Sequence, residues 1–174
     1  DEVLRNMKRG YTADNYRRLI EKIRAKLPGT SIATDIIVGF PGETEAQFQA
    51  TYDLLDELKL DVAHLAKYST RPGTVADRNM TDDVPEEEKE RRWRALNDQH
   101  ERISGQINRS YQDETLEVLV EDKHKGKWRG RTRTNKLVFF EDESADRRGQ
   151  LAQVRIEKTG PWSMSGQLTM THER

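Results

Sequence analysis

The chain has 174 residues, with 30 Lys and Arg against 31 Asp and Glu and a formal net charge of −1. It has room for one medium domain or two small ones, and it is not a general polyanion binder. The absence of cysteine excludes disulfides, thiolate catalysis and cysteine-ligated clusters or zinc sites within this chain. No apolar stretch approaches the roughly 20 residues of a membrane span, and the N-terminus has no signal-like core. We therefore expect a soluble, cytoplasmic protein with no membrane partner.

Three helices are predicted from apolar periodicity and capping residues. Thr12 is a candidate N-cap for a helix over 12–27, where apolar residues repeat at helical spacing until a Pro-Gly pair ends it. Thr44 and Gln47 form a capping-box pattern at the start of a second helix. Pro85, followed by three glutamates, opens a longer third helix with a stripe of large side chains.

Two strands alternate with these helices. The run at 32–40 contains three consecutive apolar residues and predicts a strand buried on both faces, and 62–68 predicts a second strand. This order is typical of parallel α/β architecture. Because two parallel strands do not make a stable sheet covered on both faces, we expect the remaining strands in a longer protein's N-terminal portion.

The apolar period changes to two after about residue 110. Short alternating segments lie at 116–120, 137–140, 154–156 and 168–170, and glycines separate them. This pattern predicts a small antiparallel β-barrel of about five strands. The expected fold class is therefore α/β followed by all-β, divided into 1–84, a linker helix at 85–109, and 110–174.

One segment of the predicted barrel is strongly basic. Six cations occupy every second position from Lys123 to Arg133, and no acid occurs from 123 to 136. Either on one strand or split by a turn at Gly126, they would form a basic strip that offers phosphate contacts, hydrogen bonds and one stacking ring to RNA. The alternative is a solvated hairpin face. The candidate RNA-binding residues are Lys123, Lys125, Lys127, Trp128, Arg129, Arg131, Arg133, Asn135 and Lys136.

Two further segments are candidate ligand rims, because both follow predicted strands. Ligands bind at the carboxyl ends of parallel strands, and Gly39 and Gly42 would let a ligand approach the first turn closely. After the second strand, Arg71 could bind a carboxylate or phosphate and Tyr68 could cover an aromatic ring. The alternatives are glycines that only shape a turn and an ordinary loop with a surface arginine. Arg9, just before the first helix, could point at the same rim.

Six segments in order resemble the C-terminal part of the MiaB-type tRNA methylthiotransferases, which are radical S-adenosylmethionine (radical SAM) enzymes. These segments are LRNMKRGYT, TDIIVGFPGET, KYSTRPGT, VPEEEK, GRTRTNK and PWSMSGQL. The resemblance implies the end of a radical SAM partial (β/α) barrel followed by a small OB-like, RNA-binding barrel called the TRAM domain.

The resemblance also implies an activity and its cofactors. Such enzymes add a methylthio group to C2 of N6-isopentenyladenosine next to the tRNA anticodon, using S-adenosylmethionine and two 4Fe–4S clusters. The cluster cysteines would belong to N-terminal domains of the same polypeptide, so this chain alone is expected to be inactive, with no catalytic residue or metal ligand of its own. It would contact the anticodon stem-loop of tRNA. The cofactor-binding residues implied are Ile37, Gly39, Phe40, Tyr68, Ser69 and Arg71.

Other interpretations stay open. The chain could be a non-catalytic RNA-binding module, or a metabolite-binding α/β domain with an attached barrel. Within the family, relatives act on a ribosomal protein or on threonylcarbamoyladenosine tRNA. The basic RTRTNK segment favours tRNA over the ribosomal protein, whose enzymes typically have an acidic stretch there.

Overall fold

The computed structural model describes residues 1–144 and 146–169. Met170, expected in the last strand, lies outside the described residues. The chain forms two compact units, 1–100 and 101–174, and the finer division with a linker helix at 85–109 stays a prediction. Among the described residues, no helix has both the length and the apolar character needed to cross a membrane.

The first unit contains the predicted alternation of helices and strands. Thr12 and Thr44 both form capping boxes, which confirms the two predicted helix starts. Two short helices, α1 and α4, were not predicted, because five residues are too few to show a period. The elements are α1 (Glu2–Asn6), α2 (Ala13–Lys26), β1 (Ala33–Val38), α3 (Glu45–Leu58), β2 (Val62–Lys67), α4 (Val75–Asn79) and α5 (Glu86–Arg109), which continues past the unit boundary.

The strands β1 and β2 pair in parallel from Ala33 opposite Val62 to Val38 opposite Lys67. One face of this two-stranded sheet is buried against the helices, where Val38 packs with side chains of α3 and α5. On the other face Asp35 is exposed and Ile37 is 39% exposed. The prediction that this strand is buried on both faces is therefore wrong for the described residues.

A buried ion pair joins the turn after β1 to α5. Arg92 Nη1 lies 2.7 Å from Glu43 Oε2 and also donates to the Glu43 carbonyl oxygen at 3.0 Å. The two side chains are only 5% and 3% exposed. A second carboxylate, Glu88, accepts from Arg92 Nε at 2.7 Å. Because both charges are removed from water, each depends on the other being present.

The second unit contains a closed five-stranded barrel in the order β3-β4-β5-β7-β6, which confirms the predicted barrel. β5 and β7 pair in parallel, and the other neighbouring strands are antiparallel. Val118, Val138, Phe140 and Val154 are among the residues that fill the interior, each at most 1% exposed. The strands are β3 (Thr115–His124), β4 (Lys127–Thr132), β5 (Leu137–Glu141), β6 (Leu151–Thr159) and β7 (Met164–Leu168).

Two glycines lie where the barrel strands approach most closely. A Cβ atom on Gly166 would overlap the backbone carbonyl oxygen of Arg155, and one on Gly130 would overlap that of Leu119. Both glycines lie opposite register shifts, at Ile156 and at Val120. Bulges bend a strand, so the absence of a side chain at these points permits the closure of the barrel.

We expect Gly166→Ala to destabilise the barrel by on the order of 2 kcal/mol, because the added methyl group meets backbone rather than a movable side chain. Gly105→Ala in α5 is the matched control. Its Cβ would meet only a Pro161 carbon at 4.0 Å, and alanine favours a helix over glycine by about 0.5 to 1 kcal/mol. Urea denaturation should show opposite shifts for the two variants, and equal shifts would contradict the close-approach explanation.

We expect Glu43→Ala to cost about 3 kcal/mol, because it leaves Arg92 buried without its main partner. The control is Glu45→Ala, which removes a carboxylate that also pairs with α5 but is 59% exposed. An exposed pair contributes about 1 kcal/mol or less. Thermal and urea unfolding of the two variants would measure the difference, and a Glu45 variant as unstable as the Glu43 variant would refute the assignment.

Candidate functional site

A cavity of about 370 Å³ opens at the carboxyl ends of β1 and β2. Its remaining walls come from residues 6–9 and from the start of α4 at 74–76. Its volume lies within the range of small-molecule pockets, about 300 to 1,000 Å³. The cavity brings together these predicted cofactor residues: Ile37, Phe40, Tyr68, Ser69 and Arg71.

The sixth predicted cofactor residue, Gly39, does not line this cavity. Its φ of +70° is in the left-handed region that favours glycine, and its N–H donates to the Glu43 carboxylate at 2.7 Å. A Cβ atom at Gly39 would overlap the side chain of Lys89. The space left by the missing side chain is therefore filled by α5 rather than being free for a ligand. A cofactor contact at Gly39 stays a prediction.

Two aromatic rings form one wall of the cavity. The rings of Phe40 and Tyr68 meet edge to face, with centroids 5.3 Å apart and planes at 75°. The Tyr68 N–H donates to the Val38 carbonyl oxygen at 2.8 Å, which fixes the loop after β2 against the end of β1. The two rims that the sequence analysis treated separately are thus joined by a ring contact and a backbone hydrogen bond.

Helix α5 holds both rims through Lys89, which the sequence analysis did not single out. Its side chain is only 4% exposed, and its Nζ lies 2.7 Å from both carboxylate oxygens of Asp82. The same Nζ donates to the Tyr68 carbonyl oxygen at 3.4 Å and lies 5.4 Å from the Tyr68 ring centroid. The helical spacing could have indicated that both side chains are buried, because Lys89 and Arg92 lie seven and four residues before the buried Leu96, on the same face of α5.

Several carboxylates around the start of α5 form ion pairs with arginines and lysines. Hydrogen bonds from Arg91 and then Arg92 lower the pKa of Glu88 to about 2. Lys67, at the end of β2, forms ion pairs with Glu86 and Glu90, which raise its pKa. This side of the cavity is therefore a network of matched charges.

The cavity fits an adenosine-type cofactor in chemistry as well as in size. Ile37 and the two rings offer apolar walls, Ser69 offers a hydroxyl group, and Arg71 offers a guanidinium group for an anion. An iron–sulfur cluster does not fit, because the chain has no cysteine. The residues that the structure describes also contain no cluster of three His, Cys, Asp or Glu that could hold a metal ion.

The predicted basic strip is divided by a turn at Gly126 between the end of β3 and β4. Acids on neighbouring strands pair with its cations, so the expectation of an unopposed strip is wrong. The pairing of neighbouring strands brings these acids beside the cations, and the alternation within one segment does not reveal them. The pairs are Lys127 with Glu141 at 2.9 Å, Arg129 with Asp122 at 2.6 Å, Arg131 with Glu121 at 3.7 Å and Arg133 with Glu117 at 2.7 Å.

Two predicted RNA-binding residues are buried. Trp128 lies in the barrel interior at 3% exposure, and its indole N–H donates to the Asp142 carbonyl oxygen at 2.9 Å. Its ring is therefore not available for base stacking, because its indole faces the core instead of the solvent. Lys136 is 8% exposed. On β4 the even-numbered positions Trp128 and Gly130 face inward, which explains the burial of the tryptophan ring.

The remaining residues of the strip are accessible. Lys123 covers Trp128, with its Nζ 4.6 Å from the ring centroid. Lys125 and Asn135 are exposed in turns with φ of 49° and 60°. No ion pair involves Lys125 in the part of the chain that the structure describes. The outer face of β4 thus presents cations that hold carboxylates, beside an exposed lysine at the turn.

Two family models match this chain, each over about a third of it. The radical SAM superfamily matches residues 1–55, and the TRAM domain matches residues 109–169. The first match contains β1 and the turn that forms one rim of the cavity, and the second contains the closed barrel.

Three relatives are named tRNA-2-methylthio-N(6)-dimethylallyladenosine synthase. The one from Roseiflexus sp. (strain RS-1) is 49% identical over 99% of this chain and 37% of its own length. Those from Chloroflexus aurantiacus and Dehalococcoides mccartyi (strain CBDB1) are 48% and 46% identical, over 95% and 97% of this chain and 36% and 40% of their lengths. The chain therefore spans about two fifths of the length of the curated relatives it matches.

One solved structure, a multidomain protein with nucleic acid binding domains from Streptococcus pneumoniae TIGR4, is similar over 37% of this chain and 25% of its own. The sequence identity is 16% and the TM-score is 0.30, which is too low to bear on the fold. The sequence relatives and the two family models agree with each other: the chain is similar over nearly its whole length to part of these synthases, and it combines a match to the radical SAM superfamily with a TRAM domain.

Proposed function

We propose that the protein containing this chain adds a methylthio group to C2 of an N6-isopentenylated adenosine next to the tRNA anticodon, in the cytoplasm. Two observations carry the proposal. The radical SAM and TRAM models both match this one chain, and the chain is up to 49% identical to synthases named for this product. This chain contributes one wall of the cofactor cavity and an RNA-binding barrel. The names of these relatives favour a tRNA adenosine over a ribosomal protein as the substrate.

Ile37, Phe40, Tyr68, Ser69 and Arg71 would hold S-adenosylmethionine in the cavity. When bound beside an iron–sulfur cluster, this cofactor supplies the radical chemistry of the family, and the cysteines that hold the clusters lie outside this chain. The apolar side chains would exclude water from the adenosine group. Arg71 would bind an anionic group, because its fork of donors suits carboxylate and phosphate.

The outer face of β4 would bind the RNA backbone, with Lys125 at the turn beside it. Because Arg129, Arg131 and Arg133 already hold carboxylates, a phosphate must replace each carboxylate. Exposed pairs of this kind contribute only about 0 to 1 kcal/mol, so exchange is feasible. The acids of β3 would weaken non-specific RNA binding. The shape of the RNA, more than its charge, would then determine which RNA the barrel binds.

We expect Glu121→Gln and Glu117→Gln to raise the affinity for an anticodon stem-loop, because each frees an arginine next to the RNA. Arg131→Gln should lower the affinity, and it should reduce the slope of log K against log salt by about 0.7 for each phosphate that is no longer neutralised. The measurement is fluorescence anisotropy across a salt series with the full chain.

Glu157→Gln on β6 is the matched control, since it makes the same charge change on an exposed acid of a strand that is not adjacent to β4. An equal gain for Glu157→Gln and Glu121→Gln would mean that only net charge matters. Unchanged binding of the Arg131 variant would remove β4 from the RNA interface.

The catalytic part of the proposal is tested in the full-length enzyme with reconstituted clusters. Incubation with S-adenosylmethionine and an isopentenylated stem-loop should add the mass of a methylthio group to one adenosine. RNA binding without any mass change under these conditions would favour the non-catalytic RNA-binding module.

A further inference from the structure

Three cations at the mouth of the cavity have no partner among the described residues. Lys8, Arg9 and Arg71, here called the cationic rim, are exposed and line the cavity beside Phe40 and Tyr68. None of the three side chains forms a hydrogen bond or an ion pair within residues 1–144 and 146–169. The described part of the chain also places no Asp or Glu in the lining of this cavity. The rim is therefore a concentrated positive charge that the described residues do not neutralise.

The basic residues at the end of β2 and at the start of α5 behave differently. Lys67, on the cavity wall, forms ion pairs with Glu86 and Glu90. In α5, every arginine and lysine from 89 to 94 holds a carboxylate. In contrast to these paired cations, three cations without a partner at one opening indicate an anionic ligand.

Lys8 has an unfavourable backbone conformation in addition. Its φ is +60°, in the left-handed region, where it closes α1 through its N–H to the Arg5 carbonyl oxygen at 2.9 Å. The next N–H, of Arg9, donates to the Leu4 carbonyl oxygen at 2.8 Å. Helices that end in this way usually have glycine at the left-handed position. A lysine at this position lowers the stability of the backbone. Such a cost is expected where the side chain is needed for binding.

Aromatic rings, hydroxyl groups and cations around one opening are the groups that recognise a nucleotide. Base faces stack on rings, and arginine and lysine bind the backbone phosphates of single-stranded RNA. We propose that the cationic rim binds the RNA backbone phosphates that flank the nucleotide at the mouth of this cavity, and that Arg71 faces these phosphates rather than the cofactor. This inference rests on the proposed function, and it assigns to the radical SAM unit its own RNA contact besides that of the barrel.

An anion at the rim could come from two sources, RNA phosphate or the carboxylate of S-adenosylmethionine. Three cations exceed the charge of a single carboxylate, whereas consecutive phosphates of a strand offer several anions along the mouth. Arg9 and Arg71 come from two segments far apart in the chain, after α1 and after β2. This arrangement suits an extended polyanion better than a single small group.

The experiment compares two double variants in the full chain. Arg9→Gln with Arg71→Gln removes two rim charges, and Lys22→Gln with Lys26→Gln removes two charges from exposed positions on α2 that do not line the cavity. For an anticodon stem-loop in a salt series, the rim variant should bind several-fold more weakly. Its salt slope should fall by about 0.7 for each phosphate that it no longer neutralises, or about 1.4 in total. The α2 variant should match the wild type.

Lys8→Gly separates binding from folding. Glycine relieves the left-handed strain, so the melting temperature should rise while the affinity for RNA falls. A purely structural role for Lys8 would change stability without weakening RNA binding, and that result would overturn its part in the rim.

Binding of S-adenosylhomocysteine by calorimetry distinguishes the two anions. If the rim variant loses this ligand but keeps the RNA affinity and salt slope of the wild type, the rim binds the cofactor carboxylate. The inference is then wrong, although the proposed function stands. If the wild type shows no salt-dependent RNA binding, both fail. Equal losses of affinity in the rim and α2 variants would mean that the loss comes from the change in net charge alone. This result would also overturn the inference.

Discussion

The buried charges of α5 are the constraint on which the cavity depends. Arg92 binds Glu43 below the turn after β1, and Lys89 fills the space beside Gly39 and reaches the loop after β2. A single helix thus sets the position of both rims. Burying such charges is costly unless each is paired, so the turn and the loop are held in one arrangement, and the rings of Phe40 and Tyr68 can form a wall.

The cations of the barrel differ from those of the cavity, because they are paired with acids. The arginines on β4 face acids on β3 at distances down to 2.6 Å. The cavity has the opposite arrangement, since its rim cations face no acid within the described residues. Weak, neutralised contacts on the barrel and strong, unmatched charges at the cavity would together favour RNA whose target nucleotide reaches the cavity.

Local patterns predicted most of the fold. Capping residues such as Thr12 and Thr44 determine helix starts through hydrogen bonds within three residues, and apolar alternation identified β3, β5 and β6. The last strand was predicted at 168–170, whereas β7 spans Met164–Leu168. The burial of Ile37 and the free charge of the strip were predicted wrongly, because both depend on how strands and helices pack and not on a local pattern. The roles of Lys89 and Glu43 were missed for the same reason, since a buried charge in a polar segment resembles a surface charge until its partner is known.

The central claim is that RNA contacts both the cavity wall and the outer face of β4. An anticodon stem-loop with a photoreactive base at the adenosine 3′ of the anticodon should cross-link to the peptide that contains Tyr68 when mixed with the full-length enzyme. A photoreactive base elsewhere in the loop or stem should cross-link to peptides of β3 and β4. Cross-links confined to other surfaces, such as α2 or β6, would contradict the account.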